Sequence, residues 1–194
     1  MNFKSWLMEG LKGVKIPLPS VRQSHDFDCG AAALRSVCEF FKVGPEDHTE
    51  FIAACKSGDH GTNTKDMIRA AKSFGLQTKV VDGMSLEQLK SFMDKGCPVI
   101  ICMQAWEEDG DKKAKKYNEL KSGHYVVVIG YDEKSVFFED PMMSGKRGVL
   151  PFDEFISRWH DKGTDREYHQ YGIAMWKPVH RPEVQHVHGK KKLP

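Results

Sequence analysis

The run Gln23-Ser-His-Asp-Phe-Asp-Cys29-Gly-Ala-Ala-Ala-Leu34 puts a cysteine at the first turn of an expected helix, with Gly30 removing side-chain bulk beside it. A helix N-terminus carries partial positive charge on N–H groups that lack intrahelical partners, which stabilises a thiolate and lowers a cysteine pKa. The same groups can face the oxyanion that forms on an attacked carbonyl. Asp28 opposes the first effect when ionised; its expected role is helix cap, where backbone donors absorb part of its charge. A thiolate nucleophile also needs a proton donor for its leaving group. His124 suits that role, because it follows Gly123 and opens the most apolar strand pattern of the chain, HYVVVIGYD, which would hold it rigidly and away from water. Asp140, between the next strand pattern and Pro141, can accept from the other ring nitrogen and fix the tautomer. By strand alternation Val136, Phe138 and Asp140 share one face and Glu139 the other, so Glu139 is not expected at the histidine. Taken singly, a helix-start cysteine or a strand histidine reads equally as core filling. The order Gln, Cys, His, Asp, with a helical half between Cys and His, is the more specific signal. His25 competes as a second histidine, but its place before the helix and beside Asp26 favours a surface role.

The elements that must position these groups can be read from apolar spacing. Helices are expected over 29 to about 42, 46 to 57, and from Thr64 to Gly75, the first stopped by Gly44-Pro45. LQTKVVD reads as a short strand, and Ser85-Leu-Glu-Gln88 has the form of a capping box whose helix Gly96 closes. From Pro98 the pattern turns to β: PVIICMQAW, HYVVVIGYD and SVFFED are strand-like, the last two joined as a hairpin. PFDEFISRWH reads as a short helix and YGIAMWK as a final strand. Helices followed by an antiparallel sheet is an α+β order. Two loops stand out, the Gly/Asp/Thr-rich 58–63 and the charged 107–122.

At these residues the sequence resembles the papain-like C39 cysteine peptidases, known from transporters that export bacteriocins and cut their double-glycine leader peptides. The motifs are Gln23, Asp28-Cys29-Gly30-Ala31-Ala32-Ala33-Leu34, Gly123-His124-Tyr125-Val126-Val127-Val128, and Asp140-Pro141 followed by Gly145. The likeness runs from about Pro19 to Trp176. It implies a papain-like fold and a thiol protease (hydrolase) with Cys29 as nucleophile, His124 as general acid and base, Asp140 orienting it, and Gln23 as the side-chain donor of the oxyanion hole. It further implies a peptide or protein substrate, including a precursor cut after a Gly-Gly type site, and an exporter or precursor peptide as partner. Two alternatives stay open: acyl transfer by the same residues, and a peptide-binding or regulatory module without turnover.

Composition fits this reading. The chain has 194 residues, 40% hydrophobic and 29% charged, with a formal net charge of +2, so neither a nucleic-acid partner nor disorder is suggested. Its five cysteines, irregularly spaced, do not look like a disulfide framework and suggest a reducing compartment. Cys38, Cys55, Cys97 and Cys102 are read as core residues, and no metal or cofactor is called for. No signal-peptide core, membrane-spanning run or P-loop is evident, so a free-standing cytoplasmic domain without stable membrane insertion is expected. The expected organisation is an extension over 1–18, with Phe3, Trp6, Leu7 and Leu11 at helical spacing; the peptidase domain over 19–177; and a disordered basic tail over 178–194 carrying His180, His186 and His188.

Overall fold

The computed structural model describes residues 11–105, 123–143, 147–163, 166–178 and 184–188. The expected stripe of Phe3, Trp6 and Leu7, the whole 107–122 loop and Gly145 lie outside the described residues.

The helical half forms where the apolar spacing requires it. α1 (Cys29–Phe41) buries Ala31, Ala33, Leu34, Val37, Cys38 and Phe41, and ends at Lys42 in the left-handed conformation, φ 54°. α2 (His48–Cys55) and α3 (Thr64–Ser73) begin at Asp47 and Asn63, whose side chains accept from the Thr49 and Lys65 N–H groups. The capping box is realised at α4 (Leu86–Asp94): Ser85 Oγ accepts from Gln88 N while the Gln88 amide oxygen accepts from Ser85 N. α5 (Phe152–Arg158) buries Phe155. No described helix is long and apolar enough to cross a membrane.

The strands β1 (Leu11–Lys15), β2 (Gln77–Val81), β3 (Val99–Gln104), β4 (Gly123–Tyr131), β5 (Ser135–Glu139), β6 (Arg147–Pro151), β9 (Gly172–Trp176) and β10 (Gln185–His188) form one antiparallel sheet. Its order is β10-β1-β4-β3-β9-β2, with β5 also on β4 and β6 beyond it; β7 (His160–Lys162) and β8 (Glu167–His169) make a separate hairpin. β3 is buried at every position and β4 at most, so these two run through the centre with α1 packed on β4. The α+β expectation thus holds.

Two boundaries need correction. The 1–18 extension is not separate, since β1 pairs with β4 and β10, and Ile16 and Leu18 are 0% and 1% exposed in the common core. The approach of β1 to β4 needs glycine, because a Cβ on Gly130 would stand 2.3 Å from the Val14 carbonyl oxygen. Nor is the tail past Pro178 free throughout: Gln185–His188 pairs with β1, so YGIAMWK is not the last strand. Its short polar sequence gave no strand signal; the open edge of β1 supplies the backbone partners. β6 and the β7–β8 hairpin also escape the sequence pattern, β6 because it contains Gly148 and Pro151. A Cβ at Gly148 would collide with the Phe138 ring, so this strand trades propensity for close packing.

Candidate active site

Cys29 is the first residue of α1 and lines a cleft of about 770 Å³. Gly30 is needed beside it: a Cβ there would come within 2.6 Å of the Thr62 Cβ, so glycine lets the 58–63 loop close against the helix start. That loop contributes Asp59, His60, Gly61 and Thr62 to the cleft wall. Its Thr62 carbonyl accepts from the Tyr125 hydroxyl of β4 at 2.9 Å, tying the two halves together.

The central sheet brings the sequence-distant groups together. His124, second residue of β4 and 4% exposed, donates from Nε2 to Asp140 Oδ1 at 2.7 Å. Asp140 stands just past the end of β5, and the same oxygen accepts from the Met142 N–H at 2.9 Å, which fixes the carboxylate. The His124 ring also hydrogen-bonds the Cys29 side chain. Since Nε2 is taken by Asp140, Nδ1 is the nitrogen left for sulfur. Burial pulls the imidazole pKa down, but the hydrogen bonds to Asp140 and Cys29 outweigh it, and the pKa is pushed up to about 9. Glu139, on the opposite face as alternation requires, is buried and pairs with Arg147.

Asp28 does not cap α1, contrary to expectation. It is fully buried and accepts from Ser24 N (3.1 Å), Ser24 Oγ (2.7 Å), His25 N (3.0 Å) and His48 Nε2 (2.8 Å). Burial pushes this carboxyl up, yet the hydrogen bonds from Ser24, His25 and His48 more than offset that and hold it below the usual carboxylate range. The carboxylate therefore folds the 23–28 segment back on itself instead of facing the helix donors. Gln23 sits at the head of that segment. Its backbone N–H donates to Pro141 O at 3.0 Å, linking it to the Asp140 turn, and its side-chain amide donates to His25 O at 2.8 Å. One proton of that amide remains beyond the one given to His25, so the structure brings Cys29, His124 and Asp140 into one chain of contacts and leaves Gln23 turned toward its own loop. His25 is exposed, stacked on Phe27 with ring centroids 4.9 Å apart, as its surface reading requires.

The remaining cysteines separate by environment. Burial pushes the Cys38 and Cys55 thiols up to about 12. Cys102 departs from a plain core role, because it lines the cleft and hydrogen-bonds Tyr125. Sequence reasoning also missed Tyr125, Asp161 and Tyr168 as cleft residues. Asp161 and Tyr168 come from the β7–β8 hairpin, whose three-residue strands leave no periodic signal.

Known proteins resemble this chain in sequence and in fold. The profile of the Peptidase_C39 like family matches residues 15–166. A Pseudomonas aeruginosa protein described as "Probable functional amyloid protease FapD" is 28% identical over 149 residues, covering 72% of this chain and 56% of its own. The chain thus spans about half the length of that curated relative. Among solved structures, a double-glycine motif protease from an AMS/PCAT transporter in complex with the leader peptide superimposes with a TM-score of 0.59 at 22% identity, covering 83% of this chain and 92% of that one. The peptidase domain of Streptococcus ComA, a bifunctional ABC transporter of a quorum-sensing pathway, gives 0.60 at 21% identity over 81% and 97%. Xylellain, a cysteine protease from Xylella fastidiosa, gives 0.51 at 13% identity over 91% and 90%. At these identities the structural matches show the papain-like fold.

Proposed function

For a chain that belongs to the Peptidase_C39 like family, we propose that the activity is peptide-bond hydrolysis by a Cys29 nucleophile. The observation that carries this reading is the buried relay in which His124 hydrogen-bonds Cys29 through one nitrogen and Asp140 through the other. In the reaction Cys29 attacks the carbonyl, and the α1 N-terminal N–H groups together with Gln23 stabilise the oxyanion. His124 protonates the departing amine. Water then releases the acyl group, with His124 as base.

In this reading Gln23 turns its amide from His25 O toward the oxyanion when substrate enters. Gln23→Ala is accordingly expected to lower kcat by about 10² to 10³ with little change in KM, the usual cost of one oxyanion donor. Steady-state kinetics on a cleaved peptide check this, and an unchanged kcat removes Gln23 from the mechanism. The substrate we propose is a peptide precursor cut at a Gly-Gly type site, with an exporter as partner. The supporting likeness is to the transporter protease held in complex with a leader peptide.

The experiment that tests the proposal is iodoacetamide labelling of the folded protein across pH, followed at each cysteine by mass spectrometry. Cys29 should be alkylated ahead of the other four cysteines and faster than a free thiol. Labelling of Cys29 no faster than a free thiol favours a binding module without turnover. Product masses with an added amine acceptor separate hydrolysis from acyl transfer: an amide of the added amine assigns the chain to transfer.

A further inference from the structure

The cleft holds a carboxylate that the relay does not use. Asp161, second residue of β7, lines the cleft with Cys29, and its oxygens occupy the space a side chain at residue 123 would fill: a Cβ on Gly123 would lie 2.3 Å from Oδ1 and 2.4 Å from Oδ2. Gly123 immediately precedes His124, whose side chain alternation sends to the other face, so what Asp161 shares with the reacting groups is the cleft it lines with Cys29. It is also built into place. Gln104, the last residue of β3, donates from Nε2 to Asp161 Oδ1 at 3.1 Å and to His160 O at 3.2 Å, and the Lys162 N–H donates to the same Oδ1 at 2.8 Å. Gln104 is itself 1% exposed, and its carbonyl accepts from Arg158. Both hydrogen bonds to Asp161 fall on Oδ1. Among the described residues Oδ2 accepts none, and no described cation forms an ion pair with this carboxylate.

Burial pushes the Asp161 carboxyl up, and the opposing pull of the Lys162 and Gln104 hydrogen bonds and of His160 and His124 does not offset it. The lysines at the mouth do not pair with it: Lys162 is exposed, and Lys56 is exposed and turned to Asp66 at 3.7 Å. A neutral N–H donor from a substrate would satisfy one lone pair and leave the charge. A cationic donor meets both needs.

Resting on the peptidase reading above, we propose that Asp161 is a specificity-determining residue that binds a cationic group flanking the scissile bond, either a lysine or arginine side chain or a free amino terminus. Gln104 is its positioning residue. The acceptable substrates are then peptides carrying a positive charge next to the cut, and an acidic residue there is rejected by the same carboxylate.

The test reads charge preference at Cys29 without needing the natural substrate. The folded protein is treated in parallel with 2-aminoethyl, methyl and 2-sulfonatoethyl methanethiosulfonate, which are cationic, neutral and anionic, and the rate of disulfide formation at Cys29 is followed by peptide mass spectrometry. The neutral reagent reports on Cys29 reactivity, so a sluggish neutral rate counts against the peptidase reading and not against Asp161. Asp161→Asn keeps an oxygen for Gln104 and Lys162, which preserves the fold. It is expected to lower the cation-to-anion rate ratio about tenfold or more, the scale of losing one partly buried charge. Asp59→Asn, an exposed carboxylate on the cleft wall, should leave that ratio within about twofold. A ratio unchanged in Asp161→Asn, or lost equally in Asp59→Asn, overturns the proposal. Once a cleaved peptide is in hand, lysine-containing peptides with acetylated and with free amino termini separate the two cation sources; kcat/KM falling in Asp161→Asn for neither kind overturns it as well.

Discussion

Cys29→Ala is expected to abolish peptide cleavage while leaving a folded protein. Cys29 is 8% exposed and its sulfur hydrogen-bonds the imidazole of His124, so alanine removes a reacting atom without opening a large hole. Loss of the nucleophile in enzymes of this kind costs on the order of 10⁶ in kcat, since the oxyanion donors and the base have no covalent partner left to act on. The control lies within the same chain. Cys38→Ala and Cys55→Ala remove thiols that are 0% exposed within the core, so they should lower stability by about 1 to 2 kcal/mol with kcat unchanged. Thermal melts beside the kinetics distinguish these two classes. Cleavage surviving in Cys29→Ala, with a normal melt, would assign the nucleophile elsewhere.

What the sequence disclosed follows from how local each signal is. The start of α1 at Cys29 and the capping box at Ser85 and Gln88 are short-range features, written in adjacent residues, and the structure has both. His124 and Asp140 were legible because each sits at the end of a strongly apolar strand, where a polar residue is conspicuous. The failures are non-local. β10 exists because β1 offers an open edge, a fact that no property of Gln185–His188 reveals. Asp28 was read as a cap from its position, but His48, twenty residues on, claims its carboxylate. The walls of the cleft were the least legible. Thr62, Tyr125 and Asp161 come from three separate segments, and only the packing of Gly30 on Thr62 and of Gly123 under Asp161 brings them to the cysteine. Glycine placement was therefore the one available clue to that wall, since each of these two glycines precedes or follows a reacting residue and leaves room for another segment.

Asp140→Asn tests how the relay sets its protons. The carboxylate accepts from His124 Nε2 and so leaves Nδ1 facing Cys29. An asparagine can instead present its NH₂ to Nε2, which favours the tautomer carrying its proton on Nδ1; that nitrogen can then no longer take a proton from the thiol. Loss of kcat/KM by about 10³ to 10⁴ at neutral pH is expected, the scale of tautomer reversal in nucleophile–histidine–carboxylate relays. The pH profile gives the independent reading. His124 must be protonated to donate to the leaving amine, and its pKa is pushed up to about 9, so activity should be retained through neutral pH and fall as pH rises through that value. Burial pulls the same pKa down, and the hydrogen bond and charge of Asp140 are among the groups opposing it. Removing that charge lets burial act with less opposition, so the alkaline limb of kcat/KM in Asp140→Asn should move to lower pH, the direction in which the imidazolium is lost earlier. A limb that stays where the unaltered protein has it would mean that Asp140 orients the ring without supporting its charge, and the His124 shift would then have to come from Cys29 alone.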